Sequence, residues 1–425
     1  MTDRPFPDDA QRADLGIDAQ PGLYTGRHLL LLSDTDVGAA LSALREGAGV
    51  RAYPGGASGT PDEGSAAVFD RLGVAVVSAD PGRHEALLAT ARQAPSILAV
   101  ELERWMFGFG APTAAIAAEE GHATWGLRAT GVPESACRAH GVRVAVLDTG
   151  FAPVHRDFAD RVVVKVSFVP GRTADDRHGH GTHCIGTACG PRRPGTHPAY
   201  GIASEAEIYA GKVLDDAGSG TDLSVIAGID WAVGEGCRVI SLSLGAPVRS
   251  GEGYSRVYES LARRARALGT LIVAAAGNDS GRPGYVAPVS HPANCPSILA
   301  VAALAPDLSV AGFSAGGGTV DISAGGGTVD ISAGGGTVDT SAGGGTVDLA
   351  APGVDVLSAA PEPAGHARMS GTSMAAPHVA GIVALLAEAY PCASASELAD
   401  RVLGGARALP VPSTDVGSGL VQAPR

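Results

Sequence analysis

Residues 371–381 are the segment that most constrains how this chain can fold. They read Gly-Thr-Ser-Met-Ala-Ala-Pro-His-Val-Ala-Gly, a glycine turn that leads directly into a helix of small residues. Ser373 stands at the start of this helix, where unpaired N–H groups and the helix dipole stabilise negative charge on a nearby oxygen. Apolar residues then follow on every side of the helix, which predicts that it is buried. The segment predicts a core helix that presents a serine nucleophile; a serine that only caps the helix is the simpler interpretation.

A serine nucleophile needs a base that takes its proton and a group that orients the base. Two upstream segments supply them. Asp148 ends the apolar run 142–147, whose β-branched residues predict a buried strand. His180 lies in His-Gly-His-Gly-Thr-His, where glycines leave the imidazole accessible. Because catalytic groups collect at the carboxyl ends of parallel strands, we expect Asp148, His180 and Ser373 to meet in one site.

These three segments resemble the subtilisin family of serine endopeptidases, the subtilases. The resemblance rests on Asp-Thr-Gly after an apolar strand, on His-Gly-Thr-His and on Gly-Thr-Ser-Met-Ala-Ala-Pro, and it covers residues 125–423. The order Asp, His, Ser along the chain is also that of subtilisin. The resemblance implies catalytic roles for Asp148, His180 and Ser373. It further implies that the side chain of Asn278 donates to the oxyanion, beside the backbone N–H of Ser373.

The resemblance also implies a substrate groove for proteins or peptides. In the family, a strand segment and a glycine turn lie along the bound peptide, and backbone pairing of this kind gives affinity without sequence preference. The residues that match the family's groove are Gly218, Ser219, Gly220, Ser243, Leu244, Gly245, Ala276 and Gly277. We expect the turn at residues 218–220 to be exposed.

Other interpretations fit parts of this pattern. Asp-Thr-Gly also marks aspartic proteases, but these need two such carboxylates in one site, and Asp-Thr-Gly occurs once. His178, His180 and His183 resemble the metal cluster of metallo-β-lactamase-like hydrolases, but Thr182 stands where that cluster requires aspartate. A non-catalytic peptide-binding relative is the alternative function, and the presence of all four chemical groups weighs against it. We expect no cofactor for the chemistry, and structural calcium stays open, with its ligands unassigned.

Charge and composition bear on partners and location. The net charge of −13 argues against binding nucleic acid or anionic membranes through a general basic surface. Residues 1–20 lack the basic and apolar regions of a secretion signal, and the apolar run 29–32 is too short to span a membrane. We therefore expect a cytoplasmic protein with no nucleic-acid or membrane partner. Non-classical secretion or a wrongly assigned start codon remains the alternative.

The cysteines favour reduced thiols. There are six, mostly within apolar elements, and paired Cys-x-x-Cys spacing does not occur. Cys184 follows His180 by four residues, a helical spacing that would place the thiol under the imidazole. Simple helix packing is the interpretation we prefer for Cys184.

A smaller unit precedes the region of resemblance. The predicted segments are a disordered tail (1–26), a propeptide-like domain (27–107), a linker (108–124) and a subtilisin-like catalytic domain (125–425). The elements predicted in the second segment are strands at 29–32, 67–77 and 97–107 and helices at 37–46 and 83–93. By element order and position this segment resembles the inhibitor-like propeptide of subtilases; a separate ligand-binding domain is the alternative. We expect its last strand to enter the enzyme's own groove, with Phe107 or Phe109 before the bond that is cut.

A repeat of nine residues interrupts the predicted catalytic region. Residues 314–349 hold four copies of Ser-Ala-Gly-Gly-Gly-Thr-Val-Asp plus one residue, whereas members of the family have a single such segment at this point. The repeated Asp invites comparison with calcium-binding β-rolls. However, Thr319 replaces a required glycine and Ser323 replaces the apolar residue of that repeat. We predict a glycine-rich surface excursion, with a calcium roll as the alternative.

The predicted fold class is α/β: a three-layer subtilisin-like fold with a mainly parallel sheet, preceded by a small α+β propeptide-like domain. The predicted function is a serine endopeptidase that works through an acyl-enzyme at Ser373. Its zymogen is expected to process itself.

Overall fold

The structure is a computed structural model that describes residues 22–56, 59–112, 121–192, 198–248, 252–317 and 345–425. Most of the predicted tail, part of the predicted linker and most of the nine-residue repeat lie outside these residues. The chain is described below as an N-terminal unit, residues 22–109, and a C-terminal unit, residues 121–425.

The N-terminal unit is a five-stranded sheet with two helices on one face. Its strands are β1 (Tyr24–Leu32), β2 (Arg51–Pro54), β3 (Ser65–Phe69), β4 (Val74–Ser78) and β5 (Ile97–Gly108), and its helices are α1 (Val37–Ala48) and α2 (His84–Gln93). The strand order is β5-β1-β4-β3-β2, and only β2 and β3 run parallel to each other. Leu30 from β1, Leu44 from α1 and Leu87 from α2 meet in a core of their own. The unit is therefore a small α+β domain.

The predicted single strand at 67–77 is wrong. The segment makes two antiparallel strands, β3 and β4, in which Phe69 pairs with Val74. Gly73 makes the reversal between them at φ +60°, a left-handed conformation that favours glycine. Both strands are almost completely buried, so each shows an apolar run, and the polar pair Asp70-Arg71 before Gly73 is the sequence signal of the turn between them. The sheet also begins at Tyr24, inside the predicted tail.

A seven-stranded parallel sheet organises the C-terminal unit. Its strands are β7 (Arg143–Asp148), β8 (Val163–Ser167), β9 (Glu207–Lys212), β11 (Val239–Leu242), β13 (Leu271–Ala275), β14 (Leu299–Leu304) and β15 (Leu349–Pro352). They lie in the order β15-β14-β13-β11-β7-β9-β8, and each neighbouring pair is parallel. Shorter strands lie outside it: β6 (Ala111–Pro112), β10 (Ser219–Thr221), β12 (Leu244–Gly245), β16 (Val356–Ala359) and β17 (His366–Ser370).

Helices cover both faces of this sheet. They are α3 (Trp125–Ala129), α4 (His180–Cys189), α5 (Asp222–Gly234), α6 (Arg256–Ala267), α7 (Thr372–Ala389), α8 (Ala395–Gly404) and α9 (Ser413–Val416). Along β7, Val144 and Val146 pack in the layer of α4 and α7, whereas Ala145 and Leu147 pack in the layer of α5 and α6. The alternation explains the continuous apolar strands and confirms the predicted three-layer fold.

Helix α7 is the central helix of one layer. By length and composition alone it could cross a membrane, but 89% of it is buried inside the structure. Its residues pack against α4 and against the sheet strands β7, β11, β13, β14 and β15. The segment at 371–381 therefore is the predicted core helix.

The N-terminal unit shares a core with the C-terminal unit. Leu29, Leu31 and Val76 on the open face of its sheet pack with residues of α5 and α6, including Ile229 and Leu261. This contact buries the face that α1 and α2 leave uncovered, so the unit is apolar on both faces.

The repeat permits a deletion that leaves the local sequence unchanged. Removing residues 315–341, three periods of nine, joins Ser314 to Ala342 and restores Ser-Ala-Gly-Gly-Gly-Thr-Val-Asp. Ala315 donates its N–H to the carbonyl of Gly277, and after the deletion Ala342 can take this place because the copies are identical. Since loop length itself changes stability little, we expect the free energy of unfolding to change by less than about 1 kcal/mol.

Chemical unfolding and peptide hydrolysis of the deletion variant would measure this. Failure to fold, or loss of a calcium-dependent rise in Tm that the full chain shows, would mean that the repeats are structural.

Candidate active site

Asp148 and His180 form a buried pair at the carboxyl ends of the strands. Asp148 ends β7, and His180 begins α4, with its Nδ1 2.8 Å from Oδ1 and 3.0 Å from Oδ2 of Asp148. Burial alone would raise the pKa of Asp148, but the charge and hydrogen bond of His180 outweigh it and lower that pKa. Burial likewise opposes the charged imidazole, yet Asp148 holds the pKa of His180 well above its usual value. The pair therefore stabilises the imidazolium form.

Asp176 holds this pair in place, a role that was not predicted from the sequence. Its Oδ1 accepts from Thr149 Oγ1 at 2.9 Å and from the Gly179 N–H at 2.8 Å, and its Oδ2 accepts from the Thr182 N–H at 2.8 Å. Thr149 Oγ1 in turn accepts from the N–H of Gly181 at 2.8 Å. The carboxylate thus ties the turn after Asp148 to the first turn of α4. An aspartate shortly before a glycine-rich helix start was the signal available in the sequence.

Ser373 lies at the N-terminus of α7, and its hydroxyl is not bonded to the histidine. Ser373 Oγ donates to the carbonyl of Ser243 at 2.9 Å, and Ser243 Oγ donates to the carbonyl of Ser373 at 2.8 Å. His180 Nε2 is buried and has no hydrogen-bond partner among the described residues. The base therefore has its acceptor nitrogen free for a serine hydroxyl that turns towards it.

Asn278 is oriented by the residue before Ser373. Its Oδ1 accepts from both the N–H and the Oγ1 of Thr372, each at 2.9 Å. A Cβ built on Gly371 would lie 3.0 Å from Asn278 Nδ2 and 2.5 Å from the carbonyl oxygen of Phe109. The amide donor and the Phe109 carbonyl therefore lie around the same point, the bare backbone of Gly371.

The predicted groove is occupied by the chain's own strand β5. On one side Ser219 pairs with Phe107 and Gly220 with Met106, both in antiparallel register. On the other side Gly245 pairs with Phe107, and the N–H of Phe109 donates to the carbonyl of Ser243 at 3.2 Å. Because β5 covers them, the glycines of the 218–220 turn are buried, so the expectation that this turn is exposed is wrong.

The remaining predicted groove residues either contact β5 or support the loop that carries Asn278. Leu244 pairs with Gly108, and the Gly218 carbonyl accepts from the N–H of Gly108 at 3.1 Å. Ala276 and Gly277 support the loop that carries Asn278. The Ala276 carbonyl accepts from the Ser290 N–H at 2.8 Å, and the Gly277 N–H donates to Thr372 Oγ1 at 3.1 Å.

The peptide bond between Phe109 and Gly110 lies among the catalytic candidates. A Cβ on Gly110 would lie 2.9 Å from His180 Nε2, and a Cβ on Gly245 would lie 2.8 Å from the Phe109 ring. Beyond this bond the chain continues as β6, where Ala111 pairs with Ser370 of β17. Of the two phenylalanines considered in the sequence, Phe109 is the one next to the histidine.

Cys184 lies against the same histidine. Its Sγ is 3.9 Å from His180 Nδ1 and 3.5 Å from the carbonyl oxygen of Ser373. Burial raises the pKa of this thiol. All six cysteines are free. The thiol therefore lies against the imidazole, as the helical spacing predicts, and its complete burial also fits the packing of α4, the interpretation preferred from sequence.

The structure bears on two alternatives, a metal site and a second catalytic carboxylate. Within the described part of the chain, Asp148, His180 and Cys184 are the one group of three metal-binding side chains close enough to share an ion. An Asp-Ser-Gly triplet begins at Asp279, but this side chain is exposed and gives no second buried carboxylate.

A serine at a helix N-terminus, a histidine bonded to a buried carboxylate and a side-chain amide beside that serine are the groups of a serine hydrolase. Comparison with known proteins identifies the family of serine hydrolases. The model of the subtilase family matches residues 139–419. The chain belongs to the subtilase family and is a serine endopeptidase that acts on proteins or peptides.

Individual relatives agree with this assignment. Subtilisin DY of Bacillus licheniformis is 35% identical over 277 residues, which are 65% of this chain and 87% of that protein. Subtilisin Savinase of Lederbergia lenta is 35% identical over 304 residues, 70% of this chain and 96% of that protein. A thermostable alkaline protease of Halalkalibacterium halodurans is 35% identical over 287 residues, 67% of each protein.

The position of Asn278 predicts the effect of its removal. Asn278→Ala should fold normally and lose about 10²- to 10³-fold in kcat, a magnitude taken from the loss of one oxyanion donor in subtilisin, because the donor acts on charge that develops in the transition state. KM should hardly change. Steady-state kinetics together with thermal unfolding would measure both, and an unchanged kcat in a folded variant would remove Asn278 from the mechanism.

Proposed function

We propose that Ser373 is the nucleophile of this endopeptidase and that His180 is its general base. Ser373 Oγ turns from the Ser243 carbonyl to His180 Nε2 and attacks the substrate carbonyl as the histidine takes its proton. Asp148 keeps the proton on Nδ1 and stabilises the imidazolium. Asn278 Nδ2 and the N–H of Ser373 then donate to the oxyanion. The histidine returns its proton to the leaving amine, and water hydrolyses the acyl-enzyme.

This chemistry uses protein groups alone, so we propose that it needs no cofactor. Structural calcium elsewhere is compatible with the mechanism, because no step passes through it.

We further propose that the chain is a zymogen that cuts itself between Phe109 and Gly110. The observation that carries this proposal is the position of that bond beside His180 Nε2, with the Phe109 carbonyl oxygen and Asn278 Nδ2 both next to the backbone of Gly371. Strand β5 is held from both sides like a bound peptide, which fixes the register of the bond. The N-terminal unit is then an inhibitor that blocks the groove until it leaves.

Two carboxylates of β5 support the inhibitor role. Glu103 Oε1 accepts from the N–H of Leu223 at 3.0 Å, in the first turn of α5. Glu101 Oε1 accepts from the N–H of Val257 at 3.2 Å, and its Oε2 accepts from Ser255 Oγ at 2.5 Å, at the start of α6. Glu101 and Glu103 thus place carboxylates at the positive ends of two helices of the protease, a favourable arrangement, although Glu103 also pairs with Arg27 of its own unit.

Self-processing predicts a difference between wild type and Ser373→Ala. Wild type should release its N-terminal segment and leave a protein that begins at Gly110, whereas Ser373→Ala should persist at the full 42.3 kDa, because it lacks the nucleophile. Intact-mass spectrometry of both proteins measures the cut. A fluorophosphonate probe should label processed wild type and not the variant.

Two results would contradict the proposal. If both proteins stay full-length while wild type hydrolyses peptides, the N-terminal unit is not a cleaved propeptide. If the new N-terminus is not Gly110, the register of β5 in the groove is not the productive one.

The helix contacts of β5 predict weaker inhibition when their charge is removed. The double variant Glu101→Gln, Glu103→Gln keeps the side-chain shapes and removes both charges, so the cleaved N-terminal unit should dissociate about tenfold more readily. Activity of the processed complex on serial dilution measures this dissociation constant. Glu85→Gln, an exposed carboxylate on α2, is the matched control and should leave it unchanged. Equal constants in all three proteins would show that the helix contacts do not hold the inhibitor.

A further inference from the structure

Arg104 occupies a negatively charged part of the groove beyond the paired strands. It lies five residues before Phe109, so it is the sixth residue before the proposed cut, the P6 position. Its backbone N–H donates to Asp222 Oδ2 at 2.7 Å, and its Nη2 lies 3.3 Å from Glu252 Oε1. Its Nη1 lies 3.7 Å from Glu101 Oε2 within the N-terminal unit. The side chain is only 13% exposed, so the guanidinium is enclosed and not free in solvent.

Two of these carboxylates belong to the protease and stay when the N-terminal unit leaves. Asp222 is the first residue of α5 and is completely buried. Its Oδ1 lies 3.3 Å from His291 Nε2. His291 is buried as well, and burial lowers the pKa of its imidazole, which favours the neutral form beside the carboxylate. Departure of β5 therefore uncovers a carboxylate oxygen, Asp222 Oδ2, that has lost its main-chain donor.

The register of a bound peptide brings its P6 residue to this place. Thr221 pairs with Trp105 in the β10–β5 ladder, so the next residue along the peptide must lie at Asp222. Any substrate that adds to β10 in the same register presents its P6 N–H to Asp222 and its P6 side chain to Glu252. A substrate brings no counterpart of Glu101. A cationic P6 side chain then has Glu252 as its contact and lies within reach of the charge of Asp222.

We propose that Asp222 and Glu252 form an acidic subsite that selects substrates with Arg or Lys at P6. The inference rests on the proposed function, since it takes Phe109–Gly110 as the bond in the catalytic site. It adds a charge preference far from the cut, at a position where β10 has ended and backbone pairing no longer holds the peptide.

Peptides that differ only at P6 test the subsite on the processed wild-type enzyme. The series is Xaa-Trp-Met-Phe-Gly-Phe-Gly-Ala-Pro with Xaa as Arg, norleucine or Glu, carrying a quenched fluorophore. We expect kcat/KM to fall in that order by about threefold to fivefold per step at low ionic strength, the size of a partly exposed ion pair. In about 1 M NaCl the Debye length is near 3 Å, and the three values should converge.

Charge variants locate the effect. Glu252→Gln should reduce the preference for Arg over norleucine, and Glu252→Lys should make the Glu peptide better than the Arg peptide. Glu207→Gln is the matched control, because Glu207 begins β9 at the opposite edge of the sheet from the site and pairs with Arg143; it should keep the wild-type order.

The possible failures are distinguishable. Equal kcat/KM for the Arg and norleucine peptides at low salt overturns the subsite while the protease assignment stands. A preference that survives Glu252→Lys also overturns it. Hydrolysis of none of the peptides overturns the proposed function and the subsite with it. The salt dependence is measured on wild type, so it decides the question even if a variant does not fold.

Discussion

The structure depends above all on one strand that belongs to two sheets. β5 completes the sheet of the N-terminal unit through β1, and its last residues pair with β10 and β12 of the protease. Neither ladder alone explains the position of Phe109: β1 anchors the strand, and β10 and β12 fix its register. A shift by one residue would turn every side chain to the opposite face, so the pleat of the sheet and the position of the bond are coupled.

The active site combines several side chains that are fixed by hydrogen bonds with one hydroxyl that can turn. Asp148, His180 and Asn278 are each held by several hydrogen bonds that originate in buried strand ends and helix starts. Among the described residues the hydroxyl of Ser373 bonds to the carbonyl of Ser243, which also receives the N–H of Phe109. The charged and donor groups around Ser373 are therefore positioned independently of where its hydroxyl points.

Much of the fold and of the catalytic site was predictable from local sequence. Asp148 after an apolar strand, His180 among glycines and Ser373 before a small-residue helix each carry their chemistry within a short segment, and the three-layer fold follows from continuous apolar strands. Long-range pairing leaves no such signal, so the burial of the 218–220 turn under β5 and the bond between Asp176 and Thr149 were not predicted. The turn between β3 and β4 had a local signal, Asp70-Arg71 before Gly73, and was missed because the apolar residues on both sides of it favoured one long strand.

The position of the Phe109 carbonyl also bears on how tightly the cleaved product would bind. If the Phe109–Gly110 bond is hydrolysed as proposed, the carbonyl becomes one end of a carboxylate, and Asn278 Nδ2, which lies beside the same Gly371 backbone, is a donor suited to a full negative charge. The product of self-cleavage would therefore be a better ligand than the uncut chain at the same atoms. If the chain cuts itself as proposed, release of the enzyme would then also depend on how easily the departing unit unfolds, and the core of this unit around Leu30, Leu44 and Leu87 is small.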